Sequence, residues 1–222
     1  LEIAWQSVTK VSTLIPRTSG ATDSRRKHLM RRPPPKRIWG AALLAALALG
    51  GCGSGSGDPR AAAVPRIELK SPAFATDALP ARYTCDGRNI SPPLEWGAVP
   101  TGAGQLALYL VGFTPDTTTG RYHLSIEWAV AGLNPALHRL AAGQLPPQAY
   151  LGVASDGKRQ RYSICPKRGV SVHYQFEVYG VPAGATISRR FAGLSVLESL
   201  TARNSPTRAD GHGGFVALYE RK

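Results

Sequence analysis

The stretch that most limits what this chain can fold into is Tyr83-Thr84-Cys85-Asp86-Gly87-Arg88-Asn89-Ile90-Ser91-Pro92-Pro93-Leu94-Glu95-Trp96. Asp86-Gly87 is a turn signal, and Ser91-Pro92-Pro93 makes a corner that delivers Trp96 to the next segment. Each proline fixes its own φ and pushes the residue before it towards extended backbone. The corner therefore has few conformations and can hold a loop against a core. Residues 64–222, roughly 160 in number, form one domain by size, long enough to bury such a core.

Five segments, 67–70, 105–113, 124–131, 173–181 and 215–220, alternate apolar and polar residues or run β-branched and aromatic between Gly and Pro. That is the signal for strands. In the fourth, Tyr174, Phe176, Val178 and Gly180 oppose Gln175, Glu177 and Tyr179, which predicts a half-buried antiparallel strand. Ile187, Phe191, Leu194, Leu197 and Leu200 fall three or four apart and predict one helix ending before Asn204-Ser205-Pro206. The fold class expected is mostly β, with one late helix and a final strand.

The region before residue 64 reads as an export and anchoring module. Met30 is the only methionine, and residues 1–29 are expected to be an upstream extension without structure. From Met30 a basic start (Arg31, Arg32, Lys36, Arg37) leads into an apolar run over 38–49. That run is shorter than the roughly 18 residues a membrane-spanning helix needs. Leu49-Gly50-Gly51-Cys52 is similar to the lipobox of bacterial lipoproteins, which implies a signal peptide over 30–51, lipidation of Cys52, and a flexible tether over 52–63. The implied location is the bacterial envelope, with the domain on the extracytoplasmic side and the membrane held through the anchor.

The formal charge of +13 falls to +6 from Cys52 onward, because residues 1–51 carry nine Lys/Arg and two Asp/Glu. The remaining excess is scattered, no nucleic-acid motif accompanies it, and no nucleic-acid partner is expected. With Cys52 assigned to lipid, Cys85 and Cys165 are an even pair in an oxidising compartment. Either a disulfide or two separate thiols fits their placement, since sequence does not establish proximity. The histidines occur singly, without metal-ligand spacing, so neither metal nor cofactor is expected.

The Thr84-Cys85-Asp86-Gly87 and Ser91-Pro92-Pro93-Leu94-x-Trp96 strings resemble the signature of the bacterial phosphatidylethanolamine-binding protein (PEBP) family, the Raf-kinase-inhibitor-like proteins. Further matches are 106–111 followed by Pro115-Asp116, then Glu127-Trp128, Cys165-Pro166 and the strand over 173–179. The resemblance implies an antiparallel β-sheet core with a second small sheet and peripheral helices. It also implies a small pocket that holds an anionic or polar group, drawn here from Asp86, Thr114, Pro115, Asp116, Glu127, Trp128, Cys165, Pro166 and His173.

The pocket motifs depart from the family pattern at chemically telling positions. Thr114-Pro115-Asp116 stands for Asp-Pro-Asp, and Glu127-Trp128 for His-Trp. The family's strand-entry histidine aligns with Val172, with His173 beside it. A carboxylate at Glu127 repels phosphate unless it is protonated or paired. Two readings follow: the ligand has shifted towards a cationic or neutral polar group, or Glu127 is structural and tied to Arg168 or Lys167. The second is the expectation.

Three function classes emerge from the sequence. One is a non-catalytic module binding a small ligand or an envelope protein, inhibitor-like or headgroup-binding as the family resemblance implies. The second is a hydrolase using Cys165 with His173, or Asp116 with Glu127. The third is an envelope structural protein with a vestigial pocket. No catalytic residue is assigned, and the first class is the expectation.

Overall fold

A computed structural model describes residues 64–159 and 161–222. The expected upstream extension, signal peptide, tether and Cys52 lie outside the described residues. The elements are β1 (Leu69–Lys70), a 3₁₀ turn (Ala81–Tyr83), β2 (Leu94–Trp96), β3 (Ala103–Asp116), β4 (Arg121–Leu133), β5 (Arg139–Leu140), β6 (Tyr150–Leu151), β7 (Ser171–Pro182), α1 (Gly193–Thr201) and β8 (Gly211–Glu220). A five-stranded antiparallel sheet runs β6-β4-β3-β7-β8, and a three-stranded sheet runs β1-β2-β5. The mostly-β class and all five expected strand segments are present.

Sheet parity sorts the core into two layers. Leu106, Leu108, Leu110, Trp128, Val130, Tyr174, Phe176 and Val178 join the small sheet and the 83–96 stretch on one side. Tyr109, Val111, Ile126, Tyr179 and Val181 pack with Ile187, Phe191, Leu197 and Leu200 on the other. The expectation of a half-buried β7 holds over residues 171–176, where burial alternates, and is corrected from Glu177 onward, where Glu177 and Tyr179 are buried along with Val178. The segment over 187–201 supplies a second apolar layer that alternation within β7 could not announce.

The predicted helix is also shorter than its apolar stripe. α1 begins at Gly193, and Ile187 and Phe191 are buried ahead of it. Their stretch is committed elsewhere: Val153 N–H donates to the Phe191 carbonyl, and Gly193 N–H donates back to Val153. Leu194 completes the stripe on paper yet points outward, 45% exposed.

The edge strand β8 is closed by backbone from three separate segments. Ile67 and Leu79 donate to the carbonyls of His212 and Leu218, and Gly169 donates to that of Arg221. At Gly213 the approach is so close that an added Cβ would lie 1.5 Å from the Ile67 carbonyl oxygen. Only glycine allows the two backbones to meet there.

Candidate functional site

Local chemistry explains the 83–96 stretch in place. Asn89 takes a left-handed φ of 49°, and its side chain holds the next loop, donating to Ser163 Oγ at 3.1 Å and accepting from Ile164 N–H at 3.1 Å. Cys85 N–H donates to the Ile164 carbonyl at 2.9 Å. These bonds bring Cys85 to Cys165, and the two form a disulfide with Cα atoms 5.2 Å apart.

Asp86, beside that disulfide, is met by the end of β8. Tyr219 OH donates to its Oδ2 at 2.5 Å, and Arg221 Nε donates to Oδ1 at 3.0 Å. The Tyr219 bond holds the Asp86 carboxyl below its usual range; burial opposes this, and Arg221 reinforces it. Arg221 also reaches Cys165 Sγ at 3.4 Å. Asp86 is therefore a fastened residue, with each carboxylate oxygen held by one donor.

The polar centre lies on the same sheet face, where Ser125, Gly112 and Tyr174 stand side by side on β4, β3 and β7. Between Leu110–Trp128 and Val111–Ile126 the β3–β4 register slips, leaving Glu127 as the extra, unpaired residue of a β-bulge. Bulges re-aim side chains, and this one turns Glu127 over Gly112. A Cβ on Gly112 would come 2.9 Å from Ser125 Oγ, 3.0 Å from Glu127 Oε1 and 3.5 Å from the Tyr174 ring. Three functional groups therefore converge on a position with no side chain of its own.

Ser125 Oγ donates to Glu127 Oε1 at 2.6 Å. Burial pushes the Glu127 carboxyl above its usual pKa, the Ser125 bond works against that rise, and Asp156 adds to it. Burial and then the charge of Glu127 raise the Tyr174 phenol. The tie of Glu127 to Arg168 or Lys167 is thus corrected. Its partner is a hydroxyl, and Arg168 instead donates to the Lys222 carbonyl. The bulge aims the carboxyl into the sheet face, while Arg168 is held at the chain end.

The other sequence candidates disperse. Asp116 caps its own hairpin turn, accepting from Thr118 N–H at 2.9 Å and Thr119 Oγ1 at 2.6 Å. These bonds hold its carboxyl below the usual range, Thr119 Oγ1 most strongly. Thr114 and Pro115 pair with His123 and Tyr122 on the way to that turn. Trp128, next to the bulge, faces the core and packs edge-on against Tyr162, ring centroids 5.8 Å apart. Pro166 follows Cys165 in the segment before β7.

His173 pairs with Phe113 and packs on Tyr122, on the sheet face opposite Tyr174. No register slip in β7–β3 at this point returns its imidazole to the Glu127 side. Asp116→Ala is expected to lower Tm by only about 2 °C through the lost turn bonds. Thermal melts of the two proteins check it.

Gly112, Ser125, Tyr174 and Tyr219 were not among the sequence candidates. Parity offered a signal for one of them: with Val172 at the strand entry, Tyr174 is the next β7 residue on the same face.

The family profile described as phosphatidylethanolamine-binding protein matches residues 70–213. A Mycobacterium tuberculosis protein named "Putative lipoprotein LppC" is 31% identical over 199 residues, 81% of this chain and 94% of its own length. The UPF0098 protein Mb1945c of Mycobacterium bovis is 35% identical over 203 residues, covering 82% of this chain and 92% of that protein. Among solved structures, the PEBP homolog CT736 of Chlamydia trachomatis superposes with a TM-score of 0.58 at 26% identity, covering 71% of this chain and 99% of its own. E. coli YbcL superposes at 0.56 with 24% identity, covering 71% and 99%, a likeness of fold.

Proposed function

Because the chain belongs to the phosphatidylethanolamine-binding protein family, we propose that it is a non-catalytic binding domain of the bacterial envelope whose site takes a cationic or neutral polar group in preference to free phosphate. The observation that carries this reading is Glu127, lifted by a β-bulge over Gly112 and held by a hydroxyl, with no cation as its hydrogen-bond partner among the described residues. A half-buried carboxylate repels an oxyanion and attracts an ammonium or a hydrogen-bond donor. The Tyr174 ring borders the same position and offers an aromatic neighbour for an alkylammonium.

The hydrolase reading loses its parts. Cys165 sulfur is bonded to Cys85, His173 faces the other side of the sheet, and Asp116 caps a turn. A thiolate nucleophile requires a free sulfur near its base. Anchoring through Cys52 rests on the sequence signal and on the lipoprotein name of the mycobacterial relative. Among the described residues no helix is long and apolar enough to cross a membrane.

Calorimetric titration with ethanolamine, phosphoethanolamine and inorganic phosphate tests the reading. Both amines are expected to bind the natural protein, with Glu127→Gln weakening them about tenfold through loss of the charged partner. Amine binding should strengthen as pH rises through the Glu127 pKa, because only the ionised carboxyl attracts ammonium. Inorganic phosphate should bind only once Glu127→His supplies a cation. Tighter binding of phosphate than of ethanolamine by the natural protein would overturn the proposal.

A further inference from the structure

A hollow of about 120 Å3 opens between the loops carrying Ser91 and Gly143; Trp128 lines it, and Glu127 does not. Its apolar walls are Ile90, Leu145, Leu151, Trp128 and Tyr162. The two loops are fastened to each other: Gly143 N–H donates to the Ser91 carbonyl at 2.9 Å and to Ser91 Oγ at 3.2 Å. A mouth tied in this way is formed before any ligand arrives, which spares the ordering cost of binding.

The polar groups around the hollow have a common sign. Asn89 uses both ends of its amide on Ser163 and Ile164. Gln144 Oε1 accepts from Ala141 N–H at 2.8 Å, which leaves its amide NH2 uncommitted. Ser91 Oγ accepts from Gly143, which leaves its O–H hydrogen to give. Arg161 also lines the hollow and has no ion pair or hydrogen bond among the described residues. The free capacity of Gln144 and Arg161 is donor, Ser91 keeps its O–H to give, and the Tyr162 hydroxyl, buried without a partner among the described residues, can donate as well.

Donors around apolar walls select an anion with an apolar body. An apolar cavity of about 150 Å3 accommodates benzene, so this volume suits a single ring or a short branched chain. A bare phosphate would leave the Trp128 and Tyr162 walls unused, and a metal cation would find no carboxylate among the lining residues. We propose that the hollow binds a small monocarboxylate with an apolar body of single-ring size, its carboxylate on Arg161, Gln144 and Ser91 and its body against Trp128 and Tyr162. The proposal is independent of the Glu127 site.

Benzoate is the probe, titrated into the full chain while the Trp128 indole N–H is followed by NMR, with Trp128→Phe identifying the signal. A saturable shift is expected with a Kd on the order of millimolar, fitting so small a ligand. Arg161→Ala, an exposed change that leaves the fold intact, should weaken binding about tenfold, and neutral benzyl alcohol should bind about tenfold more weakly than benzoate. Leu145→Trp should abolish the shift by filling the hollow, with an unchanged melt showing that the fold survives. Glu127→Gln should leave the titration unchanged. Absence of a saturable shift, equal affinity in Arg161→Ala, or loss of binding in Glu127→Gln would each overturn the assignment.

Discussion

Reducing the Cys85–Cys165 bond is expected to destabilise the domain by about 4.5 kcal/mol, the chain-entropy value for a loop as long as this one. The cysteines are 80 residues apart, so the bond restricts nearly half of the folded region in its unfolded state. For a domain of this size the loss corresponds to a fall in Tm of roughly 10 °C. Melts with and without a phosphine reductant, compared with a Cys85→Ser, Cys165→Ser double variant, measure it. Equal melting temperatures in all three would mean that the bond adds nothing beyond the Asn89 and Cys85 hydrogen bonds already joining these loops.

The second large effect concerns Glu177, on the opposite face of the sheet from Glu127. Its carboxylate accepts from Gln175 Nε2 at 2.7 Å and Tyr179 OH at 2.8 Å, yet burial pushes its pKa from 4.5 up to about 7. A raised carboxyl pKa means that the folded state holds the proton more tightly than the unfolded state does. The associated stability is fully present below about pH 4.5 and is lost as pH rises through about 7. The difference amounts to about 3 kcal/mol.

Glu177→Gln removes the titration and keeps an oxygen for Tyr179. The variant should match the natural protein near pH 4 and exceed it by about 3 kcal/mol at pH 8.5, with a Tm some 6–10 °C higher. Glu127, also raised, tilts the natural protein in the same direction and remains in the variant. Denaturant melts across this range decide the matter. Parallel pH profiles for the two proteins would show that Glu177 is solvated well enough to ionise without cost.

The strands were legible because alternation is a local property, and the 83–96 stretch was legible because turns and proline corners are. What stayed hidden depends on partners. A bulge belongs to the pairing of two strands, so nothing in Ser125-Ile126-Glu127-Trp128 marks Glu127 as the unpaired residue. Tyr219 and Arg221 lie more than 130 positions from the Asp86 they hold. Ile187 and Phe191 kept helical spacing while their backbone was committed to Val153, a claim that periodicity does not register. Asp116 carried the right residue type for a binding site, but the hairpin turn had the nearer use for its oxygens.

The margins of the large sheet bear on how many copies can share a surface. On one side, β8 is covered by the 65–67, 77–79 and 168–169 backbones; on the other, the Ile126 and Ala129 carbonyls are taken by Ser155 and Gly152. A sheet whose borders are interrupted at these points offers a poorer template for strand-by-strand growth. Crowded together, such domains can jostle with less tendency to zip into fibrils. Loops other than those at 65–67, 77–79, 152–155 and 168–169 can then diversify without uncovering these parts of the edge.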